Sequence, residues 1–257
     1  MNKVTPQNIL IVGNDDDKIV QVIAKQCEQA GHQVTRADGL EVLTLEEESE
    51  FHTVFSCLTG FYAVNEVCTK VKVTDDTLFI VSCLYDHAVG SIQRDDLVVG
   101  FSPLALYWDS LVVELASTMN TSDATMNRAT ALMENIGLKA YTMKETPGLV
   151  MPRILATLAN EAAYALMEGI ASAEDIDTAM KLGTNYPEGP LRWADKIGID
   201  VIYDILQFLY TEYREDRYRA APLITRMMLA GKVGEKVGEG FYTYSEANKP
   251  VPAGSNA

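Results

Sequence analysis

Residues 9–38 read ILIVGNDDDKIVQVIAKQCEQAGHQVTRAD. An apolar strand runs into Gly13, a helix-like segment follows, and a second strand ends on Asp38. That order is the outline of a dinucleotide-binding βαβ unit. The loop between the first strand and the helix, Gly13-Asn14-Asp15-Asp16-Asp17-Lys18, does not suit the outline. Three carboxylates stand where a pyrophosphate would sit.

The pattern continues outward from this stretch. Strand-like runs fall at 8–12, 33–36, 53–58, 77–82, 97–101, 111–115 and 139–143, with helical segments at 18–30, 62–71 and 122–136. Strands alternating with helices predict a parallel sheet with crossover helices, and the short β-branched runs predict burial on both faces. At Glu145-Thr146-Pro147-Gly148 the character changes, and the rest reads as helices. Ile154, Leu155, Leu158, Ala162, Ala165, Leu166 and Ile170 recur near 3.6 spacing. Ser172 is placed to cap one helix, Asp200 the next, and Pro222 and Gly231 bracket a third. The aromatic residues Trp193, Tyr203, Phe208, Tyr210, Tyr213 and Tyr218 fit a helical core and subunit contact rather than a stacking platform. The division is therefore 1–145, an α/β domain; 146–247, a helical domain; and 248–257, a disordered tail.

Composition narrows the function. A net charge of −15 disfavours nucleic acid and anionic membrane surfaces as partners. No apolar run approaches the roughly 20 residues needed to span a bilayer, and MNKVTPQN lacks a signal-peptide core, so the expected location is cytoplasmic. Cys27, Cys57, Cys68 and Cys83 form no CxxC pair and read as buried free thiols. The run Glu46-Glu47-Glu48-Ser49-Glu50 reads as a solvated face or loop.

The helical half carries specific words. Ser172-Ala173-Glu174-Asp175-Ile176-Asp177 with Met180-Lys181-Leu182-Gly183, Gly183-Thr184-Asn185-Tyr186-Pro187-Glu188-Gly189-Pro190 with Asp195 and Gly198, and Gly231 to Tyr244 (GKVGEKVGEGFYTY) follow one another across about a hundred residues. Together they resemble the L-3-hydroxyacyl-CoA dehydrogenase family. Gln29-Ala30-Gly31-His32-Gln33-Val34-Thr35, Arg94 to Gly100, Leu111-Val112-Val113-Glu114 and Pro147-Gly148 extend the resemblance through the first half. It implies a Rossmann-like N-terminal domain, an all-α dimerisation domain, and a place in fatty acid metabolism.

In that family NAD accepts a hydride from a 3-hydroxyacyl-CoA. A histidine takes the hydroxyl proton and a glutamate orients the histidine. Carried over residue by residue, these roles largely vanish. Only Gly13 of the glycine fingerprint remains, and Asp15–Asp17 read as acids capping an empty helix start. Asp38 matches the ribose-binding acid, but with the loop altered it reads rather as a solvated acid at a strand end. Ser102 stands at the histidine's position, and Glu114 keeps the glutamate's place with no imidazole to orient, which leaves it a strand-end acid. Ser82-Cys83-Leu84-Tyr85-Asp86 replaces the loop that holds the substrate hydroxyl, and Pro152 replaces an asparagine. The excursion that helps hold coenzyme A is shortened and acidic. Of the three histidines, His32 belongs to a turn, His52 starts a strand, and His87 lies in a loop at the ligand-binding edge as a substitute base.

The sequence thus points to a family member with its reaction impaired or lost, serving as a subunit, scaffold or acyl-ligand binder. No cofactor is expected, and the assembly is a homodimer through the helical half or a heteromer with an active relative. The alternative is an active NAD-dependent oxidoreductase on a 3-hydroxyacyl-CoA or small hydroxyacid. It would hold NAD at Gly13 and Asp38 and use His87 or an ordered water as base.

Overall fold

The computed structural model describes residues 5–38, 50–58, 73–84, 95–108, 110–244 and 250–252. The chain divides into two compact units, Met1–Leu149 and Val150–Ala257. The helix expected at 62–71, the acidic residues 46–49, Cys68 and His87 lie outside the described residues.

In the first unit every stretch read as a strand forms one: β1 (Asn8–Val12), β2 (Gln33–Ala37), β3 (Phe51–Ser56), β4 (Val73–Ser82), β5 (Val98–Ser102), β6 (Val112–Ser117) and β7 (Lys139–Lys144). They build one seven-stranded sheet of order β2-β1-β3-β4-β5-β6-β7. Burial on both faces explains the apolar runs. Ile9, Ile11, Phe55, Ile80 and Phe101 pack on one side with Ile23 of α1 (Lys18–Gln29) and Met133 of α2 (Asp123–Asn135). Leu10, Val12, Val54, Phe79 and Val81 pack on the other. The expectation of a parallel sheet needs one correction: β5 and β6 run antiparallel. The chain returns directly through the 3₁₀ turn Leu104–Trp108, too short for the helical crossover that a parallel pair requires.

The second unit contains α3 (Met151–Met167), α4 (Ala173–Thr184), α5 (Pro190–Ile197), α6 (Ile199–Tyr213) and α7 (Pro222–Leu229). Ser172 caps α4, its hydroxyl accepting from the Asp175 amide. Asp200 does not cap α6; it lies in the first turn, and Gly198 at φ 110° occupies the cap. On α3 the buried face runs through Leu155, Ala156, Ala159 and Ala163, whereas Ile154 is exposed, as is Ile170, which lies past the end of the helix. Trp193 and Tyr218 are core residues. The tail is not wholly irregular: Pro250–Pro252 pairs antiparallel with Tyr242–Tyr244.

Two buried carboxylates organise this unit. Gly189 caps α5 without a side chain, and Asp177 of α4 does the capping instead. Its Oδ1 accepts from the Leu191 amide (2.9 Å) and its Oδ2 from the Arg192 amide (2.9 Å) and the Tyr242 hydroxyl (2.8 Å). A negative charge at a helix N-terminus is favourable and satisfies amides the helix leaves open. A Cβ on Gly189 would lie 2.1 Å from the Asp177 Cγ. Asp195 repeats the device. It accepts from the Phe241 and Tyr242 amides (2.9 Å each) and the Tyr244 hydroxyl (2.7 Å), and a Cβ on Gly240 would meet its Oδ1 at 2.1 Å. Burial raises the Asp195 carboxyl to about 6 against the three donors that favour its ionised form.

Asn at position 195 offers one acceptor for these donors and leaves a buried amide N–H unmatched. Asp195→Asn is therefore expected to lower unfolding stability at pH 7 by about 1–3 kcal/mol, read by urea denaturation. The native state binds the Asp195 proton more tightly than the unfolded chain. The proton-linked part of its contribution, separate from these hydrogen bonds, is thus largest below the ordinary carboxyl value of 3.8 and is lost as pH rises through about 6. That part of the pH dependence should be missing in Asp195→Asn.

Candidate functional site

The strand order places β1 between β2 and β3, so the chain reverses direction across the sheet beside β1. Ligands of open α/β sheets bind at the carboxyl ends of the strands at such a reversal. Gly13 occupies this point. Its amide donates to the Ala37 carbonyl (3.0 Å), and the Cys57 amide donates to Val12 (2.8 Å). A Cβ here would lie 2.7 Å from Val20 Cγ2 and 3.1 Å from Cys57 Cβ, so helix, loop and β3 close on a position that only glycine fills. Asp38 directly follows β2 and is exposed, so the fold brings Gly13 and Asp38 to one edge of the sheet.

The loop after Gly13 turns inward on itself. The Asp16 amide donates to the Asn14 side chain (2.9 Å), and the Asp17 amide to the Asn14 carbonyl (2.9 Å). Asp17 caps α1: its carboxylate accepts from the Ile19 amide (2.8 Å). Of the three acids only Asp17 has this capping bond. Asp15 is exposed with Arg36 3.6 Å away, and its carbonyl accepts from Gln21 Nε2 (3.0 Å). The Lys18 ammonium donates to the Tyr107 carbonyl (2.7 Å). Amides that would cradle a pyrophosphate are thus engaged by the chain's own acceptors, and a capping carboxylate sits at the helix end. Two unit charges of like sign 4 Å apart repel by about 4 kcal/mol at an effective dielectric of about 20. The loop as built does not fit a dinucleotide pyrophosphate.

The position of the expected base lies on the neighbouring strands. β5 and β6 pair Ser102 directly with Glu114, and directly opposed residues of an antiparallel ladder share a face with Cβ atoms about 4.5–5.5 Å apart. Ser102 is 2% exposed and Glu114 7%. Glu114 is therefore not a strand-end acid. It lies within β6, buried, facing the serine. The Ser102 hydroxyl has no hydrogen-bond partner among the described residues, and a serine without a base of its own takes no proton near neutral pH. Cys83, just past β4, donates its thiol to the Phe101 carbonyl (3.5 Å). Burial, then the Glu145 and Glu114 carboxylates, push that thiol well above its ordinary value, so it is not a nucleophile at neutral pH.

The described histidines are on the wrong side. His32 Nδ1 accepts from the Gln7 amide (3.1 Å) and its Nε2 lies 2.8 Å from Asn135 Oδ1, so both ring nitrogens are held in structural contacts. His52 Nδ1 accepts from the Asn8 amide (3.1 Å). Gln7, Asn8 and His52 stand where β1 and β3 begin, at the edge opposite Gly13. Pro152 is buried in the first turn of α3, where the missing N–H costs nothing. Among the described residues no group of three or more His, Cys, Asp or Glu could hold a metal ion. The sequence pointed to Ser102 and Glu114 separately. Their direct pairing comes from the antiparallel register, which the β-branched pattern does not reveal.

Comparison with known proteins places these features in a family. Residues 148–244 match the model of the 3-hydroxyacyl-CoA dehydrogenase C-terminal domain. A 3-hydroxybutyryl-CoA dehydrogenase of Clostridioides difficile is 36% identical over 192 residues, 72% of this chain and 66% of that one. A probable 3-hydroxybutyryl-CoA dehydrogenase of Deinococcus radiodurans is 43% identical over 133 residues, 52% of this chain and 48% of its own. The chain thus spans about half to two thirds of the length of these curated relatives. The crystal structure of (S)-3-hydroxybutyryl-CoA dehydrogenase from Ralstonia eutropha superposes with a TM-score of 0.75 at 28% identity, covering 94% of this chain and all of that one.

The capping geometry carries its own prediction. Asp17→Ala should destabilise the first unit by about 1 kcal/mol, the usual loss of an N-cap, whereas Asp16→Ala should change it by less than about 0.5 kcal/mol, as exposed substitutions do. Thermal and urea unfolding of the two variants, compared with the unaltered chain, measure the difference.

Proposed function

The chain belongs to the 3-hydroxyacyl-CoA dehydrogenase family, and we propose that it is a member that no longer carries out the family's hydride transfer. The observation that carries this reading is the self-capped loop: the Asp16, Asp17 and Ile19 amides are bonded to Asn14 and Asp17. Ser102 opposite Glu114 supports it independently, since the acid remains without an imidazole at the position the family's base would take. One such change could be a substitution within a working site. Changes in the cofactor loop and at the base affect the same reaction and argue together for its loss.

On this reading the chain acts as a subunit or scaffold. Its partner is a second copy or an active relative, met through the helical unit, and an acyl group is the ligand class its ancestry suggests. Leu182 and Ile170, 82% and 71% exposed, are apolar side chains that such a contact would cover. No helix among the described residues is long and apolar enough to cross a membrane.

A second reading keeps the oxidoreductase activity with NAD. It is favoured by one feature: Gly13 and Asp38 still share the sheet edge where a ribose would be held. Its base would be His87 or an ordered water.

Calorimetric titration with NAD and NADH at millimolar ligand separates the two, alongside a turnover assay with 3-hydroxybutyryl-CoA. The proposal requires no binding heat, no thermal shift and no NADH produced. A micromolar dissociation constant, or turnover that Glu114→Gln abolishes, would replace it with the second reading.

A further inference from the structure

A methionine thioether needs no ionisation to react with a peroxide, so the methionines of a folded chain rank by how open each sulfur stands to solvent. Met1 apart, every methionine of this chain lies among the described residues. Met133 is fully buried between α2 and the sheet, and Met227 is buried on α7. Met126, Met143, Met151, Met180 and Met228 are half-buried, and Met167 is 39% exposed. Met119 is 99% exposed.

That exposure is built into the turn that carries it. Met119 lies between β6 and α2. Because β6 runs antiparallel to β5, this turn is at the edge of the sheet opposite Gly13. Thr118 is buried, and its hydroxyl accepts from the Asn120 and Thr121 amides (3.0 Å each). The Thr121 hydroxyl accepts from the Thr118 amide (2.8 Å) and donates to the Val98 carbonyl of β5 (2.7 Å). Ser122 then caps α2, accepting from the Thr125 amide (3.1 Å). The turn is tied to itself, to β5 and to the helix, and Met119 is the side chain it leaves outside.

The described thiols do not compete for oxidant. A thiol attacks a peroxide as its thiolate. Burial raises Cys27, Cys57 and Cys83 well above the ordinary thiol value, so at neutral pH they stay protonated.

We propose that Met119 is a reversible oxidation site, the first of the described sulfur atoms to take an oxygen from hydrogen peroxide. The sulfur attacks one peroxide oxygen and the O–O bond breaks. The proton of the transferred hydroxyl passes to the departing oxygen, which leaves as water. Sulfur is oxidised by two electrons and the peroxide is reduced by two. A sulfoxide at Met119 projects into water and breaks no packing, whereas one at Met133 would put a polar group into the apolar core. Either sulfoxide epimer is open at this position to the reductases that restore methionine. The inference holds whether or not the chain transfers hydride.

The test treats the folded full chain with millimolar hydrogen peroxide, quenches samples with catalase over time, and follows each methionine by peptide mass spectrometry. Met119 should gain one oxygen several-fold faster than Met167, and Met133 and Met227 should react last. In urea, where every methionine is open, the lead of Met119 should vanish. Chain oxidised at Met119 alone should melt at the temperature of the untreated chain, as should Met119→Leu. The two epimer-specific methionine sulfoxide reductases, supplied with dithiothreitol, should remove the added oxygen. A rate at Met119 no greater than that at Met167, or a lead that persists in urea, would overturn the proposal. So would a melting temperature that falls as Met119 sulfoxide accumulates, or an oxygen that the reductases leave in place.

Discussion

An α-helix opens with a small set of amides that have no partner within the helix, and whatever claims them decides what that end can bind. In α1 the chain claims them itself. Asp17 takes the Ile19 amide, and Asn14 takes those of Asp16 and Asp17 before the helix begins. The arrangement stabilises the helix that packs Ile19, Val20 and Ile23 on the sheet. It also fills the place a bound phosphate would use. The fold and the nucleotide compete for the same donors, and here the fold has them. Gly13 shows that the competition was settled within an inherited frame, because its missing Cβ is still demanded by Val20 and Cys57.

The words that tie the chain to its family have a different physical basis from its chemistry. Asp177, Gly189, Asp195, Gly240, Tyr242 and Tyr244 make up one hydrogen-bonded network in the helical unit. Tyr242 joins its two halves, giving its amide to Asp195 and its hydroxyl to Asp177. Such a network is costly to break, since a lost partner strands a buried charge or amide. Its value to the fold does not depend on a reaction being performed. Membership of the family follows from these residues, whereas activity depends on others.

Much of the first unit was legible in the sequence because a strand buried on both faces leaves a continuous apolar run, and each run from Asn8 to Lys144 marks a real strand. The register between strands was not legible. Nothing in the sequence between Ser102 and Glu114 states that β5 and β6 run antiparallel, so the two site residues were found by resemblance and their confrontation only by structure. Asp200 misled because an acid in the first turn and an acid at the cap both favour the helix end. Ile154 and Ile170 misled because periodicity gives an apolar face without saying what covers it.

A buried carboxylate is strong where it is paired and costly where it is not, so its neighbours decide what it does. Glu114 is buried in β6, directly opposite the Ser102 hydroxyl of β5. Simple loss of function would relax such a position, because an apolar residue in β6 would pack without a desolvation cost. The acid that stands there bears on its neighbours: after burial itself, and with Glu145, it helps to hold the Cys83 thiol protonated. The position thus has an electrostatic effect within the fold that does not depend on hydride transfer.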